Sequence, residues 1–262
     1  MLDNDIEFIT QDQLKRSKQD KNVDNNGSEG NMNLEEADRL SEQIAKYISE
    51  QIISGELVEG ERIQELRIAK ELDVSRGSVR EALLLLERTY LIEIFPHRGA
   101  IVSEMSAQQV KALFDTHTMV LGYIVQRISE IWRVNEAEQL QQLLQQLVEF
   151  VDSGNIEKFY DAIFQHLAAQ QEMVANPYMM QFYRELLPSL RRSYFLTLNT
   201  SRRELQESFT LFKLVIDAIL IRKSQQAALF MEDFCRHLRN LVLESLARMK
   251  QIELAWARRS RR

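Results

Sequence analysis

The stretch from Val74 to Leu86, with the sequence VSRGSVREALLLL, constrains the fold more than any other part of the chain. Ser75 stands where a helix N-cap is expected, because its hydroxyl can accept a hydrogen bond from a backbone N–H two or three residues later. Val79, Leu83 and Leu86 follow the i, i+4, i+7 spacing of a helix with one apolar face. The pattern predicts a short amphipathic helix that packs on a core through this face.

The amino-terminal end of this helix carries small hydroxyls and two positive charges. Arg76, Ser78 and Arg80 all fall in its first two turns. Arginine donates to guanine edges and to phosphates, and a helix amino terminus attracts phosphate by itself. The stretch is therefore typical of a helix that enters the major groove of DNA. An ordinary surface helix with two solvated arginines has the same local pattern, so the neighbouring elements decide between the two interpretations.

Two further helices are predicted before this stretch. The first runs from Leu40 to about Ser54 and ends at Gly55, because apolar residues repeat every fourth position at Leu40, Ile44, Ile48 and Ile52. The second spans about two turns and carries apolar residues at Leu66, Ala69 and Leu72. Three helices in this order, with a tight turn between the last two, form a helix-turn-helix unit.

A β-hairpin with a basic tip is predicted directly after the third helix. Two β-prone runs, residues 92–95 and 100–103, flank Pro96, His97, Arg98 and Gly99. Such a hairpin is typical of a wing, whose tip reaches a minor groove or a phosphate. Arg98 and His97 would donate there, and Gly99 would allow a close approach. Residues 37–105 are therefore predicted to form a winged helix-turn-helix DNA-binding domain.

The rest of the chain is predicted to be helical except at its two ends. Residues 1–36 include a polar tract with two glycines that cannot bury enough surface to fold alone, and they are expected to form a disordered arm. Residues 106–250 keep helical apolar spacing, which predicts an all-α bundle of six or seven helices, with breaks at residues 153–155, Asn176-Pro177, Pro188 and around Asn199-Thr200. Residues 251–262 form a basic tail. The predicted fold class is mostly α.

Composition limits where the chain works and what it binds. No apolar run approaches a membrane span and the amino terminus lacks a secretory signal, so a cytoplasmic protein with no membrane partner is expected. The single cysteine, Cys235, excludes an internal disulfide and a cysteine-based zinc site, and it is predicted to be a small buried residue. The net charge of −6 argues against a general polyanion binder, so DNA contact requires a local basic cluster.

No motif of a common enzyme class occurs in the chain. Glu-x-x-His, His-Glu-x-x-His, Cys-x-x-Cys, Gly-x-Gly-x-x-Gly and Gly-x-Ser-x-Gly are all absent. The sequence therefore predicts a binding protein and not an enzyme. The alternatives from the binding class are a DNA-binding regulator and an adaptor that keeps the winged fold without binding DNA.

With the winged unit and the helical bundle together, the chain resembles GntR-family transcription regulators of the FadR-like branch, whose second domain is an all-helical, ligand-sensing FCD domain. The resemblance covers about residues 40 to 245 and is most specific over GERIQELRIAKELDVSRGSVREAL at 60–83 and HRG at 97–99. Weaker landmarks in the second half are Asp161 with Phe164, Asn176-Pro177, Asp217-Ala218-Ile219 and Ala227 with Met231. It implies a regulator that binds an inverted repeat in double-stranded DNA as a homodimer, with a repressor expected and an activator left as the alternative. It also implies that residues 106–250 form the effector-binding and dimerisation domain.

The resemblance also implies which residues contact DNA. The DNA-reading positions of the family fall on Ser75, Arg76, Gly77, Ser78 and Arg80, with His97, Arg98 and Gly99 at the wing tip. The chain departs from the family pattern at Leu66, where FadR proper has an arginine. One phosphate contact is therefore either missing or supplied by Arg67.

The sensing domain departs further from the family pattern. Many members bind a divalent metal through one aspartate and three histidines, and the metal then holds a carboxylate effector. The matching positions here are Asp161, Gln165, Phe212 and Phe234. Zinc and nickel require imidazole nitrogens, so neither a metal nor another cofactor is predicted. The arginine and glutamate of the family's first sensing helix are replaced by His117 and Leu121, which completes the set of candidate effector-binding residues.

The sequence leaves three interpretations of the domain interior open. An apolar cavity lined by Phe212, Phe234 and Leu121 would suit a fatty acyl effector. Alternatively, the two phenylalanines fill the cavity as ordinary core and no effector binds. In the third interpretation His117, His166 and His237 meet and rebuild a metal site, although His166 lies about 100° of helix away from the family's inward face.

Overall fold

A computed structural model describes residues 29–196 and 200–259, and the chain divides into two compact units between Glu104 and Met105. Unit 1 contains α1 (Glu29–Ile53), α2 (Glu65–Leu72), α3 (Arg76–Glu87), β1 (Ile92–Phe95) and β2 (Gly99–Val102). Unit 2 contains α4 (Ala107–Ile131), α5 (Val134–Ser153), α6 (Ile156–Val174), α7 (Pro177–Phe195), α8 (Arg202–Leu220) and α9 (Ser224–Arg259). The predicted mostly-α architecture, with one hairpin after three helices, is confirmed.

A tight turn joins α2 to α3, as predicted. Asp73 adopts the left-handed conformation at the end of α2, with φ 54°, and the Val74 N–H donates to the Ala69 carbonyl at 2.9 Å. Short polar residues such as aspartate tolerate this conformation. The Ser75 hydroxyl then accepts a hydrogen bond from the Ser78 N–H at 3.0 Å and caps α3. This turn therefore sets where α3 begins.

One hydrophobic core unites the elements of unit 1. It includes six predicted inward residues of α1 and α3 that are nearly inaccessible to solvent, Ile44, Ile48, Ile52, Val79, Leu83 and Leu86, while the predicted Leu40 is only partly buried against it. In α2 the buried residues are Ile68, Ala69 and Leu72, whereas Leu66 is 53% exposed. The prediction that Leu66 shares the apolar face is wrong, because Ile68 takes the inward position of that turn.

The hairpin is antiparallel, and the segment before α2 extends it. The register pairs Ile92 with Val102 and Phe95 with Gly99, so β2 begins one residue earlier than predicted. On the other edge of β2, the Ile63 N–H donates to the Ala100 carbonyl at 2.9 Å, and the Val102 N–H donates to the Glu61 carbonyl at 2.9 Å. This pairing fixes residues 60–63 against the base of the hairpin.

In unit 2 the described residues form six helices around a second core, within the predicted number. α4 packs along α9, and α8 packs against both α9 and α5. Predicted helix breaks occur at residues 153–155, at Asn176-Pro177 and at Thr200, which lies between α7 and α8, while Asn199 lies outside the described residues. None of the described helices is long and apolar enough to cross a membrane.

The predicted break at Pro188 is wrong, because Pro188 lies inside α7. Proline removes one backbone donor from a helix, which costs about 3 kcal/mol in a helix interior. Here Leu186 and Leu190 lie in the core on either side of the proline, so tertiary packing holds both halves of the helix in place. The helix is continuous because burial on both sides outweighs the local penalty.

Two helices extend into segments expected to be arm and tail. α1 begins at Glu29, so residues 29–36 of the expected arm are helical, and residues 1–28 lie outside the described part. α9 runs to Arg259, so most of the predicted tail at 251–262 is also helical, and residues 260–262 are not described. The extension at 251–259 contains alanine, leucine, glutamate and arginine, which favour helix by intrinsic propensity. The extension at 29–36 has three glutamates and a leucine but also Gly30 and two asparagines, which disfavour it.

A polar clasp joins three helix ends in unit 2. The Trp132 Nε1 donates to the Ile219 carbonyl at 2.9 Å, which links the end of α4 to the end of α8. The Arg222 guanidinium lies 4.2 Å above the Trp132 ring and donates to the Glu130 and Trp132 carbonyls at 2.8 and 2.9 Å. Arg222 lies two residues before the start of α9, so the clasp also restrains the start of that helix.

Candidate DNA-binding surface and sensing-domain core

The amino-terminal end of α3 presents small residues to solvent. Ser75, Arg76 and Gly77 are exposed, and Ser78 is half-buried. The Ser75 hydroxyl also lies 2.9 Å from the Ser78 hydroxyl, in addition to capping the helix. Because Ser75, Gly77 and Ser78 are small, the helix terminus is open to a phosphate.

Arg76 and Arg80 share one carboxylate on the neighbouring helix. The Arg80 Nε lies 2.9 Å from Glu65 Oε2, and the Arg76 Nη2 lies 3.5 Å from the same oxygen. The side chains of the arginines are 58% and 63% exposed, whereas that of Glu65 is 24% exposed. We call these three residues the Glu65 cluster. The sequence analysis missed Glu65, because the contact crosses the turn between α2 and α3 and follows no helical spacing.

The wing tip combines a left-handed backbone with positive charge. His97 and Gly99 have φ angles of 62° and 80°, and His97 and Arg98 are exposed. A methyl group added at Gly99 would lie 3.6 Å from the Nε and Nη2 of Arg62, so the guanidinium of Arg62 lies close to the tip. Arg62 was also missed, although its place beside a predicted wing could have been inferred from pairing of the preceding segment with β2.

The second helix contributes a further exposed cation. Arg67 is exposed on α2, beside the exposed Leu66. Arg67 is therefore available to donate to a phosphate. Unit 1 thus carries exposed arginines at the wing, on α2 and on α3.

In unit 2 the predicted effector-binding residues separate into a buried set and an exposed set. Phe212 and Phe234 contact each other with ring centroids 5.1 Å apart, and they are 2% and 1% exposed. Leu121 is fully buried in the same core. The two phenylalanines therefore pack against each other in the interior of the unit.

The structure does not bring Asp161 and Gln165 to the buried phenylalanines. Both are exposed on α6. The inward positions of that helix are taken by five apolar or aromatic residues at helical spacing, Phe159, Tyr160, Ile163, Phe164 and Leu167. A helix turned to bury this face leaves positions 161 and 165 on its outer side.

His117 lies in an aromatic cluster of the core. Its ring stacks on Tyr183 with centroids 5.6 Å apart and meets the edge of Phe114 at 6.1 Å. His117 is 1% exposed, and burial lowers its pKa from 6.5 to about 3, so the ring is neutral at pH 7. Within the part of the chain that the structure describes, two buried polar atoms at this stack, His117 Nδ1 and Tyr183 Oη, have no hydrogen-bond partner.

His166 and His237, the other two histidines that could have rebuilt a metal site, have different surroundings. The His237 Nε2 lies 2.9 Å from the Ser208 hydroxyl, which also lies 3.2 Å from the Tyr160 hydroxyl. Burial lowers the pKa of His166 to about 4. Among the described residues, no three histidine, cysteine, aspartate or glutamate side chains are grouped so that they could hold a metal ion. The structure therefore lends no support to a rebuilt histidine site.

The single cysteine is buried, as predicted. Cys235 is 1% exposed on α9, and burial raises the pKa of its thiol to about 12. A thiol in this state is not a nucleophile at neutral pH. Cys235 is part of the core and not of a reactive site.

Comparisons with known proteins agree with both units. The model of the family described as bacterial regulatory proteins, gntR family, matches residues 40–102, and the FCD domain model matches residues 112–240. The gluconate operon transcriptional repressor of Bacillus subtilis is 23% identical over 171 residues, which cover 64% of this chain and 69% of the repressor. The transcriptional repressor RspR of Escherichia coli is 25% identical over 122 residues, which cover 47% of this chain and 54% of RspR.

Solved structures show the same fold. Escherichia coli McbR/YncC aligns with a TM-score of 0.63 and 20% identity, over 82% of this chain and 98% of its own. A GntR regulator from Rhodococcus sp. RHA1 aligns with a TM-score of 0.63 and 18% identity, over 78% of this chain and 97% of its own. The family and these relatives are regulators of transcription and not enzymes. The chain therefore belongs to the GntR family of bacterial regulatory proteins, as a DNA-binding transcriptional regulator whose second unit is an FCD domain.

Proposed function

We propose that this regulator binds an inverted-repeat operator as a homodimer, with α3 in the major groove and the wing on the adjacent backbone or minor groove. The observation that carries the proposal is the exposed start of α3, where Arg76 and Arg80 stand more than half exposed beside a capped helix terminus. Arginine is the commonest specific partner of guanine, and a helix terminus favours phosphate. Because its target is chromosomal DNA, the protein works in the cytoplasm.

The wing and α2 contribute contacts of a different kind. Arg98, Arg62 and Arg67 are exposed cations outside the recognition helix. Contacts to phosphate fix the register of a protein on the duplex but do not themselves read the sequence. We therefore assign base recognition to α3 and positioning on the backbone to the wing and α2.

The homodimer is proposed to form through a groove between α4 and α9. The groove has a volume of about 570 Å³, and its lining includes Gly122 and Ala228, which are small, and three large exposed residues: Met119 (70%), Tyr123 (39%) and Leu229 (62%). Exposed apolar side chains around small residues are typical of a helix-packing surface without its partner. A second copy is the occupant that an inverted repeat requires, since a two-fold operator is matched by a two-fold dimer.

Substitution of both recognition arginines tests the DNA-binding assignment. The operator would be selected from random duplexes by the full-length protein, and its Kd measured by fluorescence anisotropy for the wild type and for R76A/R80A. Each lost base or phosphate contact should cost about 1 to 3 kcal/mol of binding free energy. The control is R127A/R203A, which removes two exposed arginines from unit 2.

The outcome is read together with thermal stability. R76A/R80A should lose operator binding while its circular-dichroism melt stays that of the wild type, because both side chains are exposed. Operator binding retained by R76A/R80A, or lost equally by R127A/R203A, would refute the assignment. A wild type that selects no sequence at all would favour the adaptor alternative.

Oligomeric state tests the proposed dimer. Light scattering during gel filtration should give twice the mass of the chain for the wild type and for Y178E, which places a charge at another exposed aromatic. M119E should shift the protein to monomer, because a carboxylate would be buried without a partner in the groove. A monomeric wild type, or a dimer unaffected by M119E, contradicts the proposed interface.

For the interior of unit 2, the packing favours the filled-core alternative over an apolar effector. Phe212 and Phe234 are buried against each other, and Leu121 is buried in the same core, so an acyl chain could enter only by displacing them. Ligands that bind the folded state raise its melting temperature by mass action. Long-chain acyl thioesters should leave the melting temperature unchanged; a rise that increases with thioester concentration would restore the effector proposal.

A further inference from the structure

We propose that Glu65 is a positioning residue for DNA recognition: its carboxylate holds the guanidinium groups of Arg76 and Arg80 in the orientation in which they read the operator. The inference rests on the proposed function, because it assigns a role to a residue behind the proposed DNA-contacting side chains. Glu65 does not itself contact DNA in this account. It acts through the two arginines.

The geometry of the Glu65 cluster supports this division of roles. Glu65 Oε2 lies 2.9 Å from the Arg80 Nε, which is the donor nearest the base of the side chain. A guanidinium has five N–H donors in a planar fork, so the four on the terminal nitrogens of Arg80 stay available. Two parallel donors of this kind match the O6 and N7 acceptors of guanine. The contact to Arg76 is longer, at 3.5 Å, so Arg80 is held more firmly.

The exposed fractions of the three side chains support the same assignment of roles. Glu65 is 24% exposed, whereas Arg76 and Arg80 are 58% and 63% exposed. The carboxylate is therefore set deeper than both cations. Glu65 also lies in the first turn of α2, where the helix dipole favours a negative charge.

The strength of the pairing depends on whether DNA is present. In the free protein an exposed ion pair contributes little to stability, because water and salt screen it. In a complex that excludes water, the same hydrogen bond is stronger, and a guanidinium fixed in advance loses less freedom on binding. The contribution of Glu65 should therefore be visible in operator binding and nearly absent from the melting temperature.

The charge of Glu65 has an opposite effect on binding without sequence preference. Such binding depends on cations that neutralise phosphates, and a carboxylate beside two of them weakens it. Glu65 thus improves the specific complex by orientation and disfavours the non-specific complex by charge. Both effects increase the ratio of the two affinities, which is the quantity that determines occupancy of an operator.

The test compares E65A with E56A in the full-length protein. Glu56 is an exposed glutamate in the loop before α2, so E56A removes the same charge without disturbing the Glu65 cluster. The probes are the duplex selected from a random pool by the wild type and a scrambled duplex of the same composition, measured over a range of salt concentrations. E65A should lower the ratio of the two affinities about tenfold, which corresponds to about 1.4 kcal/mol.

E65Q separates orientation from charge and guards against a folding defect in E65A. Glutamine keeps an acceptor oxygen near the Arg80 Nε but carries no charge, so E65Q should fall between the wild type and E65A. The melting temperatures should agree for all four proteins. Unchanged discrimination in E65A and E65Q, or an equal loss in E56A, would overturn the role of Glu65. Absence of discrimination in the wild type would instead refute the proposed function.

Discussion

Burial of His117 makes the stability of the FCD domain depend on pH, and a single substitution can isolate this contribution. Burial lowers the pKa of His117 from 6.5 to about 3. Between these two values the unfolded chain binds a proton at this position and the folded chain does not. The free energy of unfolding therefore increases with pH across this window, and the stability present above pH 6.5 is lost as the pH falls towards 3.

The size of the effect follows from the width of the window. At about pH 5 the pH lies 1.5 units below the pKa of 6.5 that the histidine has in the unfolded chain. Each unit corresponds to about 1.36 kcal/mol of unfolding free energy. His117 alone should then lower the free energy of unfolding by about 2 kcal/mol between about pH 7.5 and pH 5. The wild type should lose more than this in total, since burial also lowers the pKa of His166.

H117Q should remove this contribution, because glutamine does not titrate. The assay is urea denaturation followed by tryptophan fluorescence, with the free energy obtained by linear extrapolation. Trp132 packs against the core of the second unit, so a W256F background leaves a signal that reports on the FCD domain. The loss between the two pH values should be about 2 kcal/mol smaller in H117Q than in the wild type.

The control for this experiment is Y183F. Tyr183 stacks on His117, and burial raises the pKa of its hydroxyl above its ordinary range, so the substitution changes the same cluster without changing proton binding between pH 5 and 7.5. Y183F should keep the pH dependence of the wild type, whatever it does to stability at a single pH. An equal loss of stability in H117Q and the wild type would refute the argument from burial.

Three further outcomes follow from the geometry. S75A should destabilise unit 1 by about 1 kcal/mol in a thermal or urea melt, because the cap on the Ser78 N–H is lost, and an unchanged melt would contradict a capping role. F212A should destabilise the FCD domain by about 3 to 5 kcal/mol, because it opens a cavity beside Phe234, and a loss below about 1 kcal/mol would mean that the core is already open there. R98A should weaken binding of operator and scrambled DNA by similar factors and reduce the salt slope by about one, as expected for a phosphate contact, whereas loss confined to the operator would assign Arg98 to base recognition.

The sequence predicted the parts of unit 1 that depend on local rules. Ser75 is recognisable as a cap from its place before an apolar repeat, and Val79 and Leu86 are recognisable as core from their spacing. The hairpin follows from two β-prone runs around a glycine. The start of α1 could not be placed, because the apolar repeat begins only at Leu40, while the helix begins at Glu29 in a segment with a glycine and two asparagines, which have low helix propensity.

The parts of the site that depend on contacts across turns were not predictable. Glu65 and Arg80 are fifteen positions apart, and their pairing exists only because the turn at Asp73 folds α3 back against α2. The orientation of α6 shows the same limit. The resemblance assigned Asp161 and Gln165 to the interior, but the apolar residues of α6 bury a different face.

The clasp made by Trp132 and Arg222 determines how unit 2 can open. Because one indole and one guanidinium fasten the ends of α4 and α8 and the start of α9, none of these ends can fray alone without releasing the other two. Amide hydrogen exchange near Glu130, Ile219 and Arg222 should therefore follow a single shared opening event, slower than the fraying of an isolated helix end. These contacts therefore restrain movement of the start of α9 relative to the ends of α4 and α8.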